Sequence, residues 1–107
     1  MKLNDYQKLC LRTLPPMTDR DVVINGALGL NGESGEVADV IKKYLFQGHE
    51  WNEAKLVEEI GDVLWYVATT LAGLQISLED CARMNIQKLQ KRYPDGFEPE
   101  KSKNRLN

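Results

Sequence analysis

The chain has 107 residues, with 14 Lys and Arg against 16 Asp and Glu, a formal net charge of −2 and a single histidine. That length suits one domain, and 42% hydrophobic with 28% charged residues excludes global disorder. A slightly acidic chain does not live by a positive field, so no nucleic-acid partner is expected; a phosphorylated small molecule held through a metal ion stays open. Cys10 and Cys81 lack CxxC spacing, which excludes a zinc site or disulfide framework and suits a reducing, cytoplasmic setting. Residues 1–10 show no apolar signal core. The uncharged run from Val63 is interrupted by Thr69, Thr70, Gly73 and Gln75, short of the roughly 20 apolar residues a bilayer demands, so no membrane association is expected.

Four helices are predicted in chain order. The first covers about residues 4–13, with Leu3, Tyr6, Leu9, Cys10 and Leu14 forming its apolar stripe, and Pro15-Pro16 stops it. The second runs over about 19–45. Its middle holds Gly26, Gly29, Gly32 and Gly35; a helical glycine costs about 1 kcal/mol against alanine, so either the helix breaks there or something approaches it closely. Residues 46–51 read as a loop, with Gly48 beyond the helix end. The third helix opens on Asn52 as N-cap and continues to about Leu74, with Leu56, Ile60, Val63, Val67 and Leu71 at helical spacing. The fourth opens at Ser77 and ends before Pro94. Residues 98–107 form a polar tail. Short connections between four helices predict an all-α, antiparallel four-helix bundle-like domain.

The candidate chemistry is acidic. Glu33 and Glu36 share the second helix; Glu59 and Asp62, with Glu58 beside them, share the third. Carboxylates three apart neighbour one another on a helix, and two such pairs on facing helices can converge on a hard cation. Spacing alone does not decide this. Random placement of 16 acids gives roughly two such pairs, and the chain holds five. Position around the helix discriminates better. Glu33 falls within the apolar arc of Leu30, Val37, Val40, Ile41, Tyr44 and Leu45, about 50° from its centre, whereas Glu36 sits at the flank and Asp39 opposite. A carboxylate inside an apolar arc is costly unless paired or metal-bound. The third helix is uncharged from Val63 to Leu74, and Trp65, Ala68 and Ala72 oppose its main stripe. This predicts burial on both faces, the second one against another subunit.

Taken together, Glu33-x-x-Glu36 in a Gly-rich helix, Glu58-Glu59-x-x-Asp62 leading into an apolar helix, and the closing Lys91-Arg92-Tyr93-Pro94 resemble the MazG-like nucleoside triphosphate pyrophosphohydrolases. The resemblance covers about residues 5–97, and one helical domain over 1–97 is expected on it. It implies an all-α fold assembled as a homodimer or dimer of dimers, and Mg²⁺-dependent cleavage, with Mn²⁺ as an alternative ion. The expected substrate is a nucleoside triphosphate, split to NMP or dNMP and pyrophosphate. It implies Glu33, Glu36, Glu59 and Asp62 as metal ligands and catalytic acids, with Glu58 supporting them and the general base unassigned. Gly32 stands where the family's first motif often carries a further acid. Lys88 and Arg92, four apart, share a face with Asn85 and are expected to grip phosphates; Trp51 and Trp65 are candidate stacking partners for the base. Two alternatives remain at this point. One is a phosphoribosyl-ATP pyrophosphohydrolase, which shares the fold and a similar acidic motif. The other is a non-catalytic helical homodimer binding a structural cation.

Overall fold

The structure, a computed structural model, describes residues 1–105. Among these it forms five helices and no β-strand: α1 (Leu3–Leu11), α2 (Asp19–Phe46), α3 (Glu53–Gly73), α4 (Leu78–Arg92) and α5 (Pro99–Lys103). The all-α expectation is met. α5 lies in the polar C-terminal segment, whose last two residues, 106 and 107, are outside the described residues.

Local chemistry sets the helix ends. Thr18, Asn52 and Ser77 each accept a backbone N–H with the side-chain oxygen, from Asp21 (3.2 Å), Lys55 (3.0 Å) and Asp80 (3.0 Å), satisfying donors that have no partner inside the helix. At the end of α2 the N–H groups of Gln47 and His49 both return to the Lys43 carbonyl, at 3.1 and 3.2 Å, with Gly48 at φ 72° between them.

α2 is continuous through its glycines, and two of them are sites of close approach. A Cβ on Gly26 would collide with the Thr70 side chain and lie 3.2 Å from the Thr70 Cα; one on Gly29 would enter the Tyr66 ring. Gly32 and Gly35 face open space. The glycines at 26 and 29 therefore let α2 and α3 pack as a tight antiparallel hairpin.

α1 and α4 cover the opposite side of α3. Cys10, Ala68 and Leu78 are buried together, with Tyr6, Trp65, Val67 and Leu71 packed around them. Gln7 ties three elements into this core. Its amide donates to the carbonyls of Ala68 (3.1 Å) and Ile76 (3.0 Å), and its carbonyl accepts the Leu78 N–H (3.0 Å). Trp65 Nε1 donates to Thr13 Oγ1 at 2.8 Å. This corrects one expectation: the Trp65–Ala68 face is covered by α1 of the same chain, not by a second subunit.

The uncovered apolar surface lies elsewhere. Leu28, Val57, Ile60, Leu64, Met84 and Ile86 are exposed. The accessible surface is 8117 Å², where a compact monomer of 12.2 kDa presents about 6,100 Å². The radius of gyration, 16.9 Å, likewise exceeds the roughly 13 Å of a compact chain this long. No helix among the described residues is long and apolar enough to cross a membrane.

Candidate metal centre

The register that sets Gly26 against Thr70 and Gly29 against Tyr66 continues one turn along the hairpin and brings Glu33 opposite Asp62. One carboxylate oxygen from each of Glu33, Glu59 and Asp62 then lies within 4.8 Å of the others. Glu59 is buried, Glu33 half-buried and Asp62 exposed, so the cluster opens to solvent on one side. Glu36 is exposed and stands outside this three-oxygen group, although its charge is felt at Glu33.

The electrostatics are those of crowded carboxylates that one ammonium offsets only in part. Glu33 holds its proton more tightly than an ordinary glutamate. Burial is the main cause, followed by the contact with the Glu59 carboxylate and the negative charges of Asp62, Glu59 and Glu36. Its Oε2 is shut off from solvent and has no hydrogen-bond partner, a costly condition that calls for a proton or a cation. Lys55 compensates in part: its ammonium lies 3.0 Å from Glu59 and 3.8 Å from the exposed Glu58. Its pKa is raised, first by the contact with Glu59 and then by the charges of Glu58 and Glu59. Beneath the site the Tyr6 hydroxyl is pushed up to about 12, mostly by burial and its bond to Cys10, with a lesser share from Asp62.

The donor set fits a divalent ion. All three donors are hard anionic oxygens of the kind Mg²⁺ takes, and they lie within 4.8 Å of one another.

Two cavities flank the carboxylates. One, of about 340 Å³, is lined by Thr13, Glu33, Asp62, Trp65 and Tyr66, so Trp65 borders the acids directly. The other, of about 590 Å³, sits at the α2–α3 turn and is lined by Asp39, Lys43, His49, Trp51, Lys55 and their neighbours. Trp51 stands there edge-on to Tyr44, with ring centroids 5.4 Å apart. Lys55 lies between the two regions.

The expected phosphate contacts are placed elsewhere. Asn85 and Lys88 line a cavity with Val67, Leu78, Cys81 and Met84, and Arg92 lines another with Glu98, Lys101 and Arg105. Neither cavity includes a carboxylate of the centre. Lys55 is a residue the sequence reading passed over, although its spacing of four from Glu59 is a legible ion-pair signal.

Comparison with known families matches residues 25–97 to the MazG nucleotide pyrophosphohydrolase domain. The chain belongs to this family of all-α proteins. Among curated proteins it is similar to the Gene 37 protein of Mycobacterium phage L5, 38% identical over 73 residues. That match takes in 64% of this chain and 64% of the phage protein, so the chain spans just under two thirds of that relative's length. No solved structure matches the chain. The matched segment contains both carboxylate pairs, Lys55 and Lys88–Arg92, and leaves out α1.

Proposed function

We propose that this protein is a divalent-metal-dependent nucleoside triphosphate pyrophosphohydrolase, releasing NMP or dNMP and pyrophosphate. The observation that carries the reading is the three-carboxylate cluster with a buried, unpartnered Glu33 oxygen on a MazG domain. Glu33, Glu59 and Asp62 would hold Mg²⁺, or Mn²⁺ in its place. Such an ion supplies positive charge for phosphate oxygens and lowers the pKa of bound water.

The chain's own groups account for the rest. Glu36, outside the three-oxygen group, is the acid free to accept the attacking water's proton. Glu58 supports the centre through Lys55. Trp65 and Tyr66 wall the cavity beside Glu33 and Asp62 and offer ring faces to a base or sugar; Trp51 does so from the turn cavity.

Asn85, Lys88 and Arg92 reach phosphates in this proposal from a second copy, because α4 does not line the carboxylate cavity of its own chain. The surface excess of about 2,000 Å² over a compact monomer is ample for a stable homodimer, or a dimer of dimers. The free cysteines accord with a cytoplasmic setting.

The test is to incubate purified protein with a panel of canonical and modified nucleoside triphosphates and Mg²⁺, measuring pyrophosphate and orthophosphate separately. Pyrophosphate with the monophosphate is expected. Orthophosphate alone, or no product from any of them, would overturn the reading.

A further inference from the structure

Lys55 occupies an unusual place. Its ammonium lies 3.0 Å from a carboxylate oxygen of Glu59, the most buried member of the acidic cluster, yet its side chain is 48% exposed. It also lines the cavity of about 590 Å³ at the α2–α3 turn, so it has room to leave. A second partner waits on the outer side, the exposed carboxylate of Glu58 at 3.8 Å. Glu58 and Glu59 are adjacent on α3, so a rotation of the lysine side chain suffices to pass from one to the other.

We propose that Lys55 is an exchangeable, tethered counter-cation that makes the carboxylate centre selective for valence. The inference rests on the reading of Glu33, Glu59 and Asp62 as a divalent-metal centre. An incoming K⁺ or Na⁺ would replace one positive charge by another, lose its hydration, and compete with a group already tethered nearby. It gains nothing on entry. A divalent ion brings one charge more into a place where three carboxylates crowd and where Glu33 Oε2 has no partner. It displaces the ammonium from Glu59, and Lys55 moves to Glu58 and the turn cavity. The lysine thus sets a threshold of ionic charge at the centre, and Glu58 is the resting place that keeps the displaced ammonium paired.

The experiment is a Mn²⁺ titration followed by electron paramagnetic resonance of the free ion, which needs no turnover. The native chain, Lys55→Met and Lys55→Arg are compared in tetramethylammonium chloride and in KCl at equal ionic strength, with helicity checked by circular dichroism. In tetramethylammonium chloride, Lys55→Met is expected to bind Mn²⁺ about threefold tighter than the native protein, the size of an ion pair of this exposure. KCl should erase that gain by letting K⁺ enter, while the native protein and Lys55→Arg bind Mn²⁺ equally in both salts. Lys55→Met binding no tighter than native, or binding tighter with the same affinity in both salts, overturns the proposal and leaves the metal centre standing. Absence of Mn²⁺ binding in both native protein and Lys55→Met overturns the metal-centre reading, and this proposal with it.

Discussion

Gly26→Ala and Gly35→Ala add the same methyl group to the same helix, and the structure predicts opposite signs. At Gly26 the new Cβ collides with the Thr70 side chain and comes 3.2 Å from the Thr70 Cα, which belongs to the α3 backbone and yields only if the two helices separate. Overpacking of this kind costs about 1–3 kcal/mol, against which alanine returns about 1 kcal/mol of helix propensity. Because backbone is among the obstructing atoms, the upper part of that range applies, and the net loss is about 1–2 kcal/mol. At Gly35 nothing lies within 4 Å, so only the propensity gain remains and stability rises by up to about 1 kcal/mol. Thermal melts followed by circular dichroism at one protein concentration read this directly, since 1 kcal/mol moves the midpoint by about 4–8 °C in a domain of this size. Separation of the helices also spreads Glu33 from Asp62, so Gly26→Ala should weaken Mn²⁺ binding while Gly35→Ala does not. If Gly26→Ala is as stable as the native chain, or Gly35→Ala is destabilised, the close-packed hairpin is refuted.

Three further expectations follow from the same geometry. Gln7→Ala leaves the buried Leu78 N–H without its acceptor and removes Gln7's three bonds to Ala68, Ile76 and Leu78, with only Asn4 still bonding α1 to the start of α4 among the described residues; a loss of about 2–4 kcal/mol in chemical denaturation is expected, and a loss below that of an ordinary surface change would refute the anchor. Glu33 has a folded-state pKa above its ordinary value, so in the metal-free protein its charged form opposes folding and stability falls as pH rises through the window between the ordinary and the raised value. Glu33→Gln should therefore be more stable than native in chelator at alkaline pH, with the difference closing as pH falls below the ordinary glutamate value of 4.5; a constant difference across pH would count against the crowded cluster. If Lys88 and Arg92 act on a partner's phosphates, mixing inactive Lys88→Ala with inactive Asp62→Asn should restore activity through mixed dimers, to about a quarter of native at equal amounts, whereas no recovery after subunit exchange would place those residues outside the site.

Much of this was legible in the residues. Pro15-Pro16, Asn52 and Ser77 carry their stop and start signals locally, and they end or cap helices as read. The glycine cluster announced a close approach, but only the facing helix decides which glycines serve it: Thr70 and Tyr66 meet Gly26 and Gly29, and nothing meets Gly32 or Gly35. The same limit explains the acids. Spacing and angle singled out Glu33 on α2, yet the separation of Glu36 from the three-oxygen group depends on the register of α3 against α2, which neither helix encodes alone. The covering of Trp65 by Thr13 and Cys10, and the triple bonding of Gln7, are contacts between residues more than fifty positions apart. A single helical wheel shows that a face is apolar and is silent on which element covers it. Lys55 is different, since its pairing with Glu59 is a local i, i+4 spacing that could be read directly.

The central claim is that the Glu33–Glu59–Asp62 centre drives pyrophosphate release with a divalent ion. It is tested most directly by measuring pyrophosphate formed from the best nucleoside triphosphate by native protein and Glu33→Gln, each with Mg²⁺ and with chelator. The account predicts release by the native protein in Mg²⁺ alone, with Glu33→Gln folded but slower by at least about a hundredfold. Native activity undiminished in chelator, or a Glu33→Gln variant that keeps the native rate, would contradict it.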